Sequence, residues 1–522
     1  MTDHLAILPR DLYAAEQVRL LDKIAIEQFD IPSFTLMQTA GSIAFNKLME
    51  KWPHTRHVQV FVGSGNNAGD GYLLASLAKE HGLGTEVITL CDLEKLRGDA
   101  RLACEWAVKQ QVLITHFADF EHEKGQAHSV VIDALLGIGL NREVKGDYAK
   151  AIEFINNTDR PVLAIDIPSG LSADTGTCLG VAVTADVTVT FIGLKRGLLT
   201  NQAGDYVGEL IYNDLNVPDG VFTSESSPKP EAHRIDISSI RTMLAPRAIA
   251  SHKGSHGHVL VIGGDSSFGG AVIMAAEAAL RSGAGLVSVI TRSCHQSALL
   301  ARTPEVMVLG TEDDNANIND LILRATAIVI GPGLGRGSWA RGLMRKALST
   351  QISAGTPLIL DADALHLLAE KREQGAAGKG TGIKRCNWIL TPHPGEAAAL
   401  LNISISEVQQ DRYAAVCQLN EIWGGICLLK GSGSLICAGE KPRQEIFLCS
   451  EGNAGMATGG MGDVLSGIVG SLVAQGNSLE NSLCAGACIH GEAADLSMQA
   501  DGQRGMMATD LMPYIRQLVN PA

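Results

Sequence analysis

The chain has 522 residues, 46% of them hydrophobic and 19% charged, with 57 glycines and a net charge of −14. That length exceeds what one hydrophobic core usually supports, and an acidic balance with no compensating Lys/Arg cluster argues against a nucleic-acid or anionic-membrane surface. Eleven scattered cysteines without a C-x-x-C pair, no apolar run of about 18 residues and no signal pattern in Met1–Arg10 exclude a disulfide scaffold and a membrane span, and predict a cytoplasmic protein with reduced thiols.

Short β-branched runs at 57–62, 85–91, 130–133, 162–167 and 187–192 alternate with longer amphipathic stretches, the rhythm of β-α-β units. A polar, proline-bearing segment at 223–231 interrupts it and reads as a linker. The alternation resumes at 258–262, 286–290, 327–330, 358–360, 388–390 and 426–429. The expected fold class is therefore α/β, with two doubly wound three-layer domains over 1–222 and 233–522 joined by a linker at 223–232.

In the first half the strand ending at Val62 runs into Gly63-Ser64-Gly65-Asn66-Asn67-Ala68-Gly69-Asp70-Gly71, followed by an expected helix over 72–81. Gly63, Gly65 and Ala68 satisfy the G-x-G-x-x-G/A spacing of a dinucleotide fold, and Asp92 stands where a ribose-binding acid would be sought. The adjacent asparagines and Gly69-Asp70-Gly71 go beyond a pyrophosphate turn. Amide oxygens can coordinate a cation while backbone donors hold a phosphate. Two more strand ends carry Asp133 to Leu140 and Asp166 to Gly170. Asn67, Asp133 and Ser169 can converge on one hard cation, leaving Asp166 free for proton transfer; capping of the local turns is the alternative for each aspartate.

In the second half, Gly263-Gly264 and Gly331-Pro332-Gly333-Leu334-Gly335 are strand-end turns suited to close ligand approach. His393, between Pro392 and Pro394, is either a substrate contact or a turn residue. Lys253 to Gly257 is either a solvated basic loop, the favoured reading, or a segment that reaches a phosphate. Gly459-Gly460-Met461-Gly462-Asp463, leading into the apolar run at 464–474, puts a glycine turn and a carboxylate at a helix start. Backbone N–H groups there can close on a phosphate, and Asp463 can take a proton from an attacking hydroxyl. There is no Walker A sequence. Cys484 and Cys488 lie four apart in an apolar helix without other ligands near them in sequence.

The stretches GSGNNAGDG, DALLGIGL and DIPSGLSADTG make residues 12–218 resemble the YjeF N-terminal family, the NAD(P)HX epimerases, with a Rossmann-like fold. GPGLG, TPHPGE, KGSGS and NAGMATGGMGD make the part from 235 onward similar to the ribokinase-like NAD(P)HX dehydratases. The order of the halves resembles that of the fused bacterial enzymes. The resemblance implies that Asn66, Asn67, Ala68, Gly69, Asp70, Gly137, Ile138, Gly139, Leu140, Asn141, Arg142, Glu143 and Asp166 bind the hydrated dinucleotide, with Asp166 catalytic. It implies K+ on Asn67, Asp133 and Ser169.

In the second half the resemblance implies substrate contacts from Ala271, Gly333, His393 and the catalytic Asp463. The adenine nucleotide, ADP as co-substrate with Mg2+, falls to Lys430, Gly431, Ser432, Gly433 and Ser434 together with Asn453, Ala454, Gly455, Met456, Ala457, Thr458, Gly459, Gly460, Met461 and Gly462. Ala68, Ile138 and Met461 stand where the family often has glycine, threonine and threonine, so backbone donors must suffice there. The family also implies a homo-oligomer. A vitamin or sugar kinase with a noncatalytic dinucleotide-binding N-terminal module is the alternative, and an NAD-dependent dehydrogenase rests on the glycine spacing alone.

Overall fold

The computed structural model describes residues 8–120, 128–244, 246–312, 318–374 and 386–520. The chain divides into two compact units, Met1–His233 and Arg234–Ala522. Among the described residues no helix is long and apolar enough to cross a membrane.

In the first unit, β1 (His57–Val62), β2 (Gly84–Thr89), β3 (Leu113–His116), β4 (Ser129–Ala134), β5 (Val162–Ile165), β6 (Val187–Phe191) and β7 (Glu209–Asn213) form one parallel sheet in the order β3-β2-β1-β4-β5-β6-β7. Side chains alternate across it. Val58, Val60, Val62, Val130, Ile132 and Ala134 enter one core cluster, while Phe61, Ile88, Val131 and Ala164 enter a second, so both faces are covered. The helices that matter for the site are α1 (Ala15–Gln28), α2 (Ser33–Lys51), α3 (Asn66–Glu80) and α4 (Gly98–Lys109).

The expected strands are present. The helix expected from Tyr72 begins six residues earlier, at Asn66, so the asparagines and Gly69-Asp70-Gly71 lie in its first turns. Those two glycines serve packing: a Cβ on Gly69 would lie 2.4 Å from Met37 Sδ of α2, and one on Gly71 2.7 Å from Ala134 Cβ of β4. The edge strands β3 and β7 were not legible as apolar runs, because an edge strand has one side free of the ladder and need not be uniformly buried.

The second unit contains β8 (His258–Ile262), β9 (Leu286–Thr291), β10 (Met307–Gly310), β11 (Ala327–Ile330), β12 (Leu358–Leu360), β13 (Trp388–Leu390), β14 (Ile426–Leu429), β15 (Ser434–Ala438) and β16 (Glu445–Cys449), ordered β10-β9-β8-β11-β12-β13-β14-β15-β16. Pairing is parallel through β14 and antiparallel for the last two, which the sequence reading missed. One face packs Val259, Val261, Val287, Val289, Ile359 and Ile389 with the apolar sides of α5 (Gly269–Arg281), α6 (Met461–Ala474) and α7 (Leu479–Asp501). In register, Ile262 pairs with Ile330, Ile330 with Leu360 and Leu360 with Leu390, so the loops that follow these strands emerge side by side.

Candidate active sites

In the first unit, the register that pairs Val62 with Ala134 and Asp133 with Ala164 brings three strand-end loops together. Asp133 is fully buried. It accepts from Ser169 Oγ at 2.6 Å, Ser169 N at 2.7 Å and Leu135 N at 3.2 Å. Burial pushes its carboxyl up to about 6, and the bonds from Ser169 and Leu135 oppose that rise. Ser169 Oγ in turn accepts from Leu136 N at 2.8 Å, and Asn67 Nδ2 donates to Leu136 O at 3.1 Å. Asn67 Oδ1 is buried with no hydrogen-bond partner. An orphaned buried carbonyl oxygen beside a carboxylate, a hydroxyl and a peptide oxygen is a donor set that fits a hard monovalent cation.

Asp166 was expected to be free, and it is not. The ammonium of Lys195 donates to Asp166 Oδ1 and also reaches Thr190 Oγ1 at 3.0 Å and Phe191 O at 3.1 Å. Lys195 is only 1% exposed, and Asp166 holds a left-handed φ of 68° that an aspartate adopts at a cost. Sequence reasoning missed Lys195 because its partner lies 29 residues away. It also missed Asp22 of α1, whose carboxyl burial pushes up to about 6 against the pull of Lys195. Asp70 of α3 is driven well above its ordinary value by burial, then by Asp166 and Asp22. Gly137 packs on Asn67, and a Cβ on Gly139 would lie 2.9 Å from Arg19 Nη2 of α1. Asn141, Arg142 and Glu143 are exposed, while Ile138 and Leu140 are half-buried. Asp92, the ribose-acid candidate, is exposed and paired with Lys95 at 2.7 Å.

In the second unit the strand-end loops converge on Lys430. Its Nζ donates to Asp361 Oδ1 at 2.8 Å and lies 3.8 Å from Glu396 Oε2. Ser466 Oγ donates to Asp361 Oδ2 at 2.6 Å. Burial would raise Asp361, but the ammonium and these hydrogen bonds hold it below the usual range. A Cβ on Gly462 would sit 3.3 Å from Lys430 Nζ and 3.6 Å from Asp361 Oδ2, so the two glycine-rich loops meet at this point. Gly460 caps α6 with φ 93°, and its Cβ would lie 2.6 Å from Met274 Cε of α5. Asp463 follows in the first turn of α6. Burial and the neighbouring Asp361 push its carboxyl up to about 7, Lys430 opposing, which leaves a base poised near neutrality.

Around this centre, a Cβ on Gly333 would lie 2.6 Å from Phe268 Cβ and 3.1 Å from Ala271 Cβ. His393 accepts at Nδ1 from Gly395 N (3.0 Å) and Glu396 N (3.3 Å), so it caps the helix Pro394–Leu401. Burial and then Lys430 lower its pKa, and the ring is neutral with one edge half exposed. The turn of residues 430–434 is braced by buried Arg412, whose guanidinium donates to Leu429 O at 3.3 Å and to Lys430 O and Gly433 O at 3.4 Å. Asn453 Nδ2 donates to Asp495 of α7 at 2.8 Å while its Oδ1 accepts from Gly455 N at 2.9 Å. Arg412, Asp361 and Asp495 were invisible to sequence reasoning. Cys488, read as lacking further ligands, lies with Cys449 and Glu451 in a group whose ligand atoms are within 4.8 Å. Burial holds its thiol well above the ordinary value, so it stays protonated.

These two centres occur in a chain whose residues 33–197 match the family model for the YjeF-related protein N-terminus and whose residues 259–517 match the model for NAD(P)H-hydrate dehydratase. The bifunctional NAD(P)H-hydrate repair enzyme Nnr of Coxiella burnetii is 45% identical over 512 residues, covering 98% of this chain and 99% of that one. The chain belongs to the bifunctional NAD(P)H-hydrate repair enzyme family. The Escherichia coli enzyme of that name is 38% identical, covering 100% of this chain and 97% of its own. A solved ribokinase-like superfamily protein from Enterococcus faecalis, 28% identical, covers 55% of this chain and 94% of its own at a TM-score of 0.48. This chain carries the two matched domains on two separate α/β units.

Proposed function

We propose that the protein repairs hydrated nicotinamide dinucleotides in two steps. The first unit interconverts the R and S forms of the hydrate, and the second dehydrates the S form to NAD(P)H while ADP becomes AMP and phosphate. The observation that supports this most is Asp463, a half-buried carboxyl poised at about 7 beside the Lys430–Asp361 pair and the left-handed Gly460 turn.

A hydroxyl on the carbon next to the ring nitrogen leaves poorly as hydroxide at neutral pH. Asp463 takes the hydroxyl proton, and the oxygen attacks the terminal phosphorus of ADP as the bond to AMP breaks. Backbone N–H groups at the start of α6 and the Lys430 ammonium face the transferred group and stabilise its charge. The nitrogen lone pair then expels phosphate, and loss of a proton from the adjacent ring carbon restores the dihydronicotinamide. The turn of residues 430–434, held by Arg412, and the loop 453–462, held by Asp495, provide the nucleotide's backbone donors. Ala271, Gly333 and the exposed edge of His393 face the hydrated ring.

K+ fits the first unit, where Asn67, Asp133 and Ser169 would hold it. Its charge would fix the three loops that grip the dinucleotide phosphates. Among the described residues of the second unit, Asp361 and Glu396 already flank an ammonium, so Mg2+ would be held chiefly through the nucleotide phosphates.

The test is incubation of the full chain with mixed NADH-hydrate epimers and ADP. The proposal requires complete recovery of dihydronicotinamide absorbance with one AMP per NADH. A stable phosphate ester without that absorbance would establish a small-molecule kinase instead.

A further inference from the structure

Local spacing leaves Cys488 without further ligands, and the fold supplies two. Cys488 lies on α7, Cys449 ends β16, and Glu451 stands two residues beyond it. One ligand atom from each lies within 4.8 Å of the other two. Both cysteines are buried, and Glu451 is half-buried beside them. Glu451 Oε1 accepts from Ile237 N at 2.5 Å, which fixes the carboxylate, while Oε2 is buried with no hydrogen-bond partner. A buried carboxylate oxygen left orphaned against two thiols carries a cost that a cation at this point would remove. Glycine permits the approach: a Cβ on Gly491, one turn after Cys488, would lie 2.8 Å from the Glu451 carbonyl atoms and 2.9 Å from its Cβ.

Two thiolates and a carboxylate suit a borderline ion such as Zn2+ and disfavour Mg2+ and Ca2+, which take oxygen ligands. Zinc bonds of about 2.0–2.3 Å set ligand atoms about 3.3–3.8 Å apart, so a shift of about 1 Å closes the group on the ion. Its place in the fold matters. Cys449 pairs in register with Ser434, the last residue of the turn 430–434, and Glu451 leads into the loop 453–462. The helix α7 already holds that loop through Asp495, which accepts from Gly452 N and Asn453 Nδ2 at 2.8 Å each. An ion bonded to Cys488 would tie the end of β16, and with it both nucleotide elements, to the same helix.

We propose that Cys449, Cys488 and Glu451 form a Zn2+ site, apart from the reacting groups, that braces the turn 430–434 and the loop 453–462. Each thiol releases its proton to solvent as its sulfur bonds the ion, so no oxidant or reductant takes part. The site stands on its own geometry; only its effect on ADP rests on the function proposed above.

The experiment strips the full chain with a chelator, then titrates it with Co2+ as a probe and with Zn2+. One Co2+ per chain is expected to give thiolate-to-cobalt charge transfer in the near ultraviolet, bleached by one equivalent of Zn2+. Cys449→Ser and Cys488→Ser should each remove most of that band. Glu451→Gln should keep it and weaken Zn2+ by about tenfold or more, and Cys104→Ser, in the core of the first unit, should change nothing. A denaturant midpoint without metal reports the folding of every variant. The zinc-loaded chain should bind ADP about fivefold or more tighter than the stripped chain, and ADP should tighten Zn2+ by the same factor. A folded wild-type chain without the band, or a band that survives Cys488→Ser, overturns the site. Equal ADP affinity with and without Zn2+ overturns the brace. A chain that shows the band yet binds no ADP in either state overturns the dehydratase reading instead.

Discussion

Replacing Asp463 by asparagine keeps the size of the side chain and removes its basicity. General base catalysis is worth about 10²- to 10⁴-fold, or about 3–5 kcal/mol in the barrier, and turnover should fall by that factor while ADP binding persists. The environment adds a second signature. With a carboxyl at about 7, the wild-type rate should drop about tenfold per unit as pH falls below that value, and the asparagine variant should lose this limb. A third follows from linkage. The folded group holds its proton up to about 7, whereas an exposed aspartate releases it near 3.8. Wild-type stability is therefore whole below the unfolded value and declines as pH rises through the folded one. The difference is an upper bound of about 4 kcal/mol, so Asp463→Asn should be the more stable protein at about pH 8 and match the wild type in acid. Steady-state rates on the S hydrate and denaturant midpoints at several pH values measure all three. Unchanged turnover with an intact acid limb would refute the role of Asp463.

Thermal unfolding of the full chain should shift upward in K+ relative to choline, by about 2.7 kcal/mol at a hundredfold excess over Kd, and Asn67→Leu should erase the difference; an equal K+ response in that variant would move the cation elsewhere. Arg412→Met removes the brace from residues 430–434 and should raise the KM for ADP at least about tenfold, or ~1.4 kcal/mol, with kcat little changed at saturation; an unaltered KM means the turn holds its shape alone. Gly460→Ala places a Cβ 2.6 Å from Met274 Cε at φ 93° and should cost about 1–3 kcal/mol by chemical denaturation, a loss absent if α5 can yield.

The sheets were legible because a parallel strand buried on both faces must be a continuous apolar run, as His258–Ile262 and Ala327–Ile330 are. Edge strands such as Met307–Gly310 carry no such obligation and escaped. The start of α3 was misplaced because Asn66 and two glycines look like a loop, whereas close contact with Met37 and Ala134 demands glycine inside the helix. Backbone cradles announced themselves through glycines. What sequence could not supply were the charged partners. Lys430 finds Asp361 69 residues away, Ser466 reaches the same carboxylate across 105, and Lys195 meets Asp166 across 29. Such pairs depend on which strand ends stand side by side, and local spacing carries no trace of that.

The central claim is that the hydrate's hydroxyl is phosphorylated before it departs. The S hydrate labelled with heavy oxygen at that hydroxyl, given to the full chain carrying Asp166→Ala so that epimerisation does not wash the label out, tests it most directly. The account predicts one labelled oxygen in each inorganic phosphate released as NADH appears. Label recovered in water, with unlabelled phosphate, would contradict it.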